Sequence, residues 1–170
     1  MSENKENIPP FEEVWENIPQ DDKKIHKSNN VEFISSEFDT VSDWIKNIIQ
    51  KVDGDGRKKT ILIVDDEKDI LDSLKELLAH EGYEIDVAIN GISALDKLSH
   101  GTFDLVLSDI RMPAMDGIEL CKECKANPDL NEIPVILFSA YYDEMKSCAD
   151  KFLQKPLKSR LLFKVIDELI

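Results

Sequence analysis

The chain has 170 residues, 42% of them hydrophobic, with 35 acidic against 21 basic residues and a net charge of −14. That length allows one ordinary domain plus a substantial additional segment. The negative balance argues against direct binding of nucleic acid, which depends on Lys and Arg neutralising phosphates. No apolar run approaches the roughly 20 residues of a membrane-spanning helix, and the polar start Met1-Ser2-Glu3-Asn4-Lys5 lacks the apolar stretch of a secretory leader. Three cysteines, an odd number, do not suit a disulfide framework and point to a reducing, cytoplasmic setting.

Residues 1–58 read as an N-terminal extension. Ile8-Pro9-Pro10, Ile18-Pro19-Gln20-Asp21-Asp22 and Ser28-Asn29-Asn30 leave no room for a long element before Val31, so the arm is expected to be largely flexible. One exception is a helix over 38–52. There Val41, Trp44, Ile45, Ile48, Ile49 and Val52 form an apolar stripe, Thr40 or Ser42 offers a cap, and Asp53-Gly54-Asp55-Gly56 ends it. Such a stripe either packs on the neighbouring domain or binds a partner or a second copy.

From Thr60 onward short apolar strands alternate with helical patterns, which implies βαβ units and a parallel sheet. The reading places strands near 60–65, 83–88, 103–108, 133–138 and 151–154. The first helix carries Ile70, Leu71, Leu74, Leu77 and Leu78 and closes at Gly82; the second spans 91–99 and stops at Gly101. A third follows Asp116-Gly117 and runs to Asn127-Pro128, and the last presents Leu161, Leu162, Val165, Ile166 and Leu169 inward. Cys121 and Cys124 have CxxC spacing but fall on the third helix with no second Cys/His pair, so they read as small packing residues and not as zinc ligands.

Each strand ends in chemistry. Asp65-Asp66 follow Ile61-Leu62-Ile63-Val64, Asp109 follows Leu105-Val106-Leu107-Ser108, Ser139 follows Val135-Ile136-Leu137-Phe138, and Lys155-Pro156 follow Phe152-Leu153-Gln154. In a parallel α/β sheet these carboxyl ends share one edge, where ligands bind. Three carboxylates packed together repel or raise one another's pKa unless a cation joins them. Hard oxygen donors with room for water and phosphate suit Mg²⁺. Magnesium beside a carboxylate suits phosphoryl transfer onto that carboxylate, with the Lys155 ammonium and the Ser139 hydroxyl each taking a phosphoryl oxygen.

In order and largely in spacing, Val64-Asp65-Asp66-Glu67, Asp109-Ile110-Arg111-Met112-Pro113-Ala114-Met115-Asp116-Gly117, Ser139-Ala140 and Lys155-Pro156 resemble the receiver domain of two-component response regulators. The resemblance covers residues 59–170 and leaves 1–58 unassigned. It implies a flavodoxin-like, five-stranded doubly wound parallel sheet of order 2-1-3-4-5. It implies Asp109 as phosphoacceptor from a histidine kinase or histidine phosphotransfer protein, with Asp65, Asp66, Asp109 and the Arg111 backbone carbonyl around Mg²⁺. It further implies a cis Lys155–Pro156 bond, a switch through Ser139 and Phe152 that reaches a downstream protein, and tuning of phosphate loss by Arg111 and Tyr141. Catalysis beyond self-phosphorylation and autodephosphorylation is not expected, so the chain is not read as an enzyme.

One departure concerns the interval from Ser139 to Lys155, which is several residues short for that family. A fourth helix, at Asp143 to Ala149, is expected to be cut to about one turn or replaced by loop. Two other readings compete with the receiver: an interaction module that keeps the fold but works without phosphorylation, and a Mg²⁺-dependent phosphohydrolase with Asp65 as nucleophile. The second is disfavoured by Glu67, where familiar aspartate-based phosphatases carry Asp.

Overall fold

The computed structural model describes residues 51, 56–140 and 148–170. The proposed helix 38–52, nearly all of the extension, and Tyr141 lie outside the described residues. So does most of the interval assigned to the shortened fourth helix; its last two residues, Cys148 and Ala149, are non-helical.

In chain order the elements are β1 (Thr60–Val64), α1 (Lys68–His80), β2 (Glu84–Ala88), α2 (Gly91–His100), β3 (Leu105–Asp109), α3 (Gly117–Ala126), β4 (Val135–Ser139), β5 (Lys151–Gln154) and α4 (Ser159–Asp167). All strands pair in parallel, in the order β2-β1-β3-β4-β5. This is the doubly wound flavodoxin-like fold expected from the sequence.

The central strands are apolar at nearly every position because both faces of the sheet are covered; every residue of β3 and β4 is buried. On one face Ile61, Ile63, Leu107 and Phe138 pack against Leu71, Leu74 and Leu78 of α1 and Leu162, Val165 and Ile166 of α4. On the other, Leu62, Val64, Val106 and Leu137 meet Ala94 and Leu98 of α2 and Leu120, Cys121 and Cys124 of α3. Leu161, assigned to the inner face of the last helix, is instead 48% exposed. With an arc of 100° per residue, a stripe anchored on Leu162, Val165 and Ile166 turns position 161 outward.

α2 and α3 start at side-chain caps, whereas α1 and α4 begin without one. Asn90 accepts from the Ser93 N–H and Asp116 from the Glu119 N–H, each within a reciprocal capping box. Gly82, at φ +99°, takes the left-handed turn that ends α1. β3 and β4 begin later than the apolar runs suggest because a carboxylate or proline occupies the preceding position. Asp104 accepts from the Thr60 N–H (2.6 Å) and from Arg57 (2.8 and 3.0 Å). Asp150, ahead of β5, repeats the device: it accepts from the Val135 N–H (2.7 Å) and pairs with Lys125 (2.9 Å). Lys51 and Arg57, within the stretch read as extension, thus contact the sheet's amino end, Lys51 through Glu81 at 3.0 Å.

Candidate functional site

Strand order reverses between β1 and β3, since α1 leaves β1 toward one face while α3 leaves β3 toward the other. The gap between them is the crevice where ligands of such sheets bind. Val64 pairs with Ser108 in register, so Asp65 and Asp109 emerge side by side. Ser139 pairs with Gln154, which puts Lys155 just past the end of β5 on the same edge.

Lys155 joins them. Its ammonium lies 2.9 Å from Asp109 Oδ1 and 3.4 Å from Asp65 Oδ2. Its backbone N–H donates to the Ser139 carbonyl (2.8 Å), and the cis Lys155–Pro156 bond that follows is as expected. The stem passes the Phe138 ring, 5.0 Å from Nζ to the ring centre, a cation–π contact that fixes where the charge can sit. Asp65 is wholly buried and also accepts from the Glu67 N–H (2.8 Å); the Asp109 side chain keeps 9% of its surface, and its Oδ2 accepts from the Arg111 N–H (3.0 Å).

The electrostatics are unbalanced. Burial, only partly offset by Glu67 N–H and Lys155 and reinforced by the Asp109 charge, pushes the Asp65 carboxyl above its ordinary value. Burial opposes the Lys155 charge as well, yet the two carboxylates outweigh it and hold the ammonium above its ordinary value. Among the described residues Lys155 is the ammonium that these two carboxylates share, and a further cation is electrostatically welcome.

This donor set bears on the expected Mg²⁺. Among the described residues no three His, Cys, Asp or Glu side chains already converge on a common point. The groups at hand are oxygen only, carry excess negative charge and open to solvent at exposed Asp66, beside the nearly buried Asp109. That matches a hydrated hard cation, which keeps several waters and takes few protein ligands. The residues fit.

Of the other sequence-assigned positions, Ser139 is 2% exposed at the end of β4, and Arg111 is exposed with its N–H on Asp109. Phe152 is half-buried and packs on the α2–α3 side of the sheet. The turn after Asp109 is tighter than its sequence advertised: Ala114 sits at φ 68°, and a Cβ on Gly117 would stand 2.1 Å from the Asp109 carbonyl oxygen. Buried Ser108 donates to that same carbonyl (2.8 Å). The sequence marks a turn here, with Pro113 and Gly117 bracketing it after Asp109, but the Ser108 bond was not foreseen; its only signal was a hydroxyl interrupting an apolar strand.

The cysteines need a correction. Cys121, read as a packing residue without a partner, is disulfide-bonded to Cys148. Odd parity excludes a fully paired framework but not one bridge with one thiol left over. The two Cα atoms are 6.1 Å apart, within the span a bridge requires. Cys124 remains free and buried, and burial pushes its thiol up to about 11.

Comparison with known proteins agrees with this geometry. The response regulator receiver domain family model matches residues 61–167. The transcriptional regulatory protein ZraR of Klebsiella oxytoca is 44% identical over 109 residues, covering 60% of this chain and 24% of that protein. The regulatory protein VanRB of Enterococcus faecalis is 33% identical over 116 residues, 65% of this chain and 51% of that protein. The chain thus spans between a quarter and a half of these curated relatives. Among solved structures, the response regulator TrrA of Thermotoga maritima, in complex with Mg²⁺ and BeF, is 38% identical with a TM-score of 0.62, covering 66% of this chain and 99% of that one. The receiver domain of a signal transduction histidine kinase from Syntrophus aciditrophicus is also 38% identical, with a TM-score of 0.63 over 65% of this chain and 89% of the other.

Proposed function

Since the chain belongs to the response regulator receiver family, we propose that it accepts a phosphoryl group on Asp109 from a phosphohistidine on a histidine kinase or phosphotransfer protein. The supporting observation is the ammonium of Lys155 set between Asp109, which keeps 9% of its side-chain surface, and the wholly buried Asp65. The relatives' whole activities reach beyond the part this chain matches, so its output is part of the proposal.

Catalysis here is positioning and charge neutralisation. The Arg111 N–H and Lys155 hold the Asp109 carboxylate at the crevice mouth, so its oxygen meets the phosphorus as the histidine nitrogen leaves. As charge gathers on the transferred group, Lys155 turns from the carboxylate to a phosphoryl oxygen, and the Ser139 hydroxyl takes another. Mg²⁺, held by Asp65, Asp66, Asp109 and the Arg111 carbonyl, would neutralise the remaining phosphoryl charge. No external substrate is turned over; slow loss of phosphate, tuned by Arg111 and Tyr141, resets the protein.

The acyl phosphate adds about −1.5 to −2 charge at one strand end. Drawing Ser139 inward shifts Phe152 on the neighbouring strand, and the changed surface is read by a protein partner in the cytoplasm, through the chain itself or a second copy. Labelling with acetyl phosphate and Mg²⁺ tests this: wild type takes one acid-stable, hydroxylamine-labile phosphoryl group, and Asp109→Asn takes none. Equal labelling of the two would overturn the assignment, and an unlabelled wild type would favour a module that works without phosphorylation.

A further inference from the structure

The Cys121–Cys148 bridge lies outside the phosphoryl pocket, yet it joins two elements on the same face as Phe152. Cys121 projects from α3 and is fully buried, whereas Cys148 is half-exposed and sits four positions before Phe152. Cys148, Ala149 and Phe152 all pack against the core between the sheet and α2–α3. Cys148 also lies 3.9 Å from the Ile118 carbonyl, on the first turn of α3. The chain entering β5 is therefore fastened to α3 by a contact, a packed core and a covalent bond.

Where a histidine-kinase signalling protein operates, thiols are kept reduced and a disulfide is typically transient and sensing. We propose that Cys121 and Cys148 form a reversible thiol–disulfide site, exchanging with a low-molecular-weight thiol such as glutathione, and that the closed bridge restrains the response at Asp109. The restraint rests on the phosphoacceptor reading above; the thiol site does not.

Access fixes the order of events. A glutathione thiolate attacks the half-exposed Cys148 Sγ, forming a mixed disulfide and expelling Cys121 as a thiolate, which takes a proton from solvent. A second thiolate attacks the glutathione sulfur, releasing oxidised glutathione and the Cys148 thiolate, which is protonated in turn. Two electrons pass from two thiols to the protein, and the reverse sequence closes the bridge with glutathione disulfide as oxidant. Cys124 stays out of the exchange because it is buried and protonated.

Closed, the bridge pins Cys148 to α3 and with it the lead into β5, the strand that carries Phe152 and ends at Lys155. Open, that lead keeps its packing and the Asp150 bonds to Val135 and Lys125, but Cys148 itself has lost its covalent tie to α3. A switch that needs Phe152 to move is then slower to engage in the oxidised protein.

The test equilibrates the full chain in glutathione buffers from reducing to oxidising, quenches with acid, alkylates after unfolding and maps cysteines by mass spectrometry. Cys121 and Cys148 should lose alkylation together, with a loss of about 2 Da in the linked peptide and Cys124 alkylated throughout. Acetyl phosphate should label the oxidised protein at least about fivefold more slowly than the reduced one, and Cys148→Ser should label at the reduced rate in every buffer. Three free thiols in all buffers, pairing through Cys124, or a bridge that survives reducing buffer overturns the site. Equal labelling of the two forms overturns the restraint. The alkylation result stands whether or not Asp109 is labelled, so absence of label in every buffer counts against the phosphoacceptor reading alone.

Discussion

At the amino rim of the sheet, Asp104 and Asp150 each have a cation of their own, Arg57 and Lys125, and each also receives the first N–H of a neighbouring strand. At the carboxyl rim, Asp65 and Asp109 divide one lysine between them. Burial works against the charge at Asp104, Asp150 and Asp65 alike. Hydrogen bonds from Arg57 or Lys125 and a strand N–H overcome it at the amino rim, leaving Asp104 and Asp150 below their ordinary values, whereas Asp65 ends above its own. The same residue type is neutralised where the protein needs a fastening and left in excess where it needs to attract a cation and a phosphoryl group.

The contrast is most sharply broken at Lys155. Lys155→Met keeps the stem over Phe138 but removes the shared charge, so labelling of Asp109 by acetyl phosphate should fall by about 10²–10³-fold, the usual cost of losing one donor to developing charge. The counterpart at the other rim, Asp104→Ala, should leave the labelling rate unchanged. Equal rates for Lys155→Met and wild type would show that the ammonium holds the pocket together without touching the transferred group.

The carboxyl rim was legible from sequence because its carboxylates and Ser139 end strands that are almost wholly buried and Lys155 follows the short apolar edge strand β5, a pattern that needs only chain-local information. Asp65, Asp109, Ser139 and Lys155 are found at the ends of their strands for that reason. The amino rim was not legible. Asp104 and Asp150 look like loop residues until β1 and β4 are known to lie beside them, because their partners Arg57, Thr60, Val135 and Lys125 are supplied by other elements. Cys148 escaped for the same reason, being brought to α3 across a separation of 27 residues. Leu161 escaped for a different one: Leu161, Leu162, Phe163, Val165 and Ile166, five apolar residues in a nine-residue helix, define a stripe too wide to fix its centre.

A smaller effect, on stability and not on labelling, is expected from Asp104→Ala. The change leaves the Thr60 N–H and the Arg57 guanidinium without their acceptor in a partly buried place. An orphaned donor of this kind costs about 1–3 kcal/mol, with the lower half favoured because Arg57 keeps 35% of its side chain in water. Urea unfolding should show the midpoint falling at constant slope. A midpoint equal to wild type would mean that water replaces the carboxylate at no cost and that the amino rim is not a fastening.

The smallest effect isolates the guanidinium fork. Arg57→Lys keeps the charge but cannot grip both oxygens of Asp104, so the loss at neutral pH should be under about 1 kcal/mol. Its signature is in the pH dependence. Asp104 titrates below its ordinary 3.8 when folded, so the folded state binds fewer protons and the pair's contribution is complete above the unfolded value. It disappears as pH falls through the lower folded value. Weakening the fork brings the two values together, so the variant should lose less stability than wild type on acidification, and the two unfolding curves should converge toward the acid end. Asp86 and Asp150, also held low by lysines, contribute the same acid loss to both proteins and cancel in the difference. Parallel curves would instead assign the depression of Asp104 to the Thr60 N–H, a bond that either side chain at position 57 leaves intact.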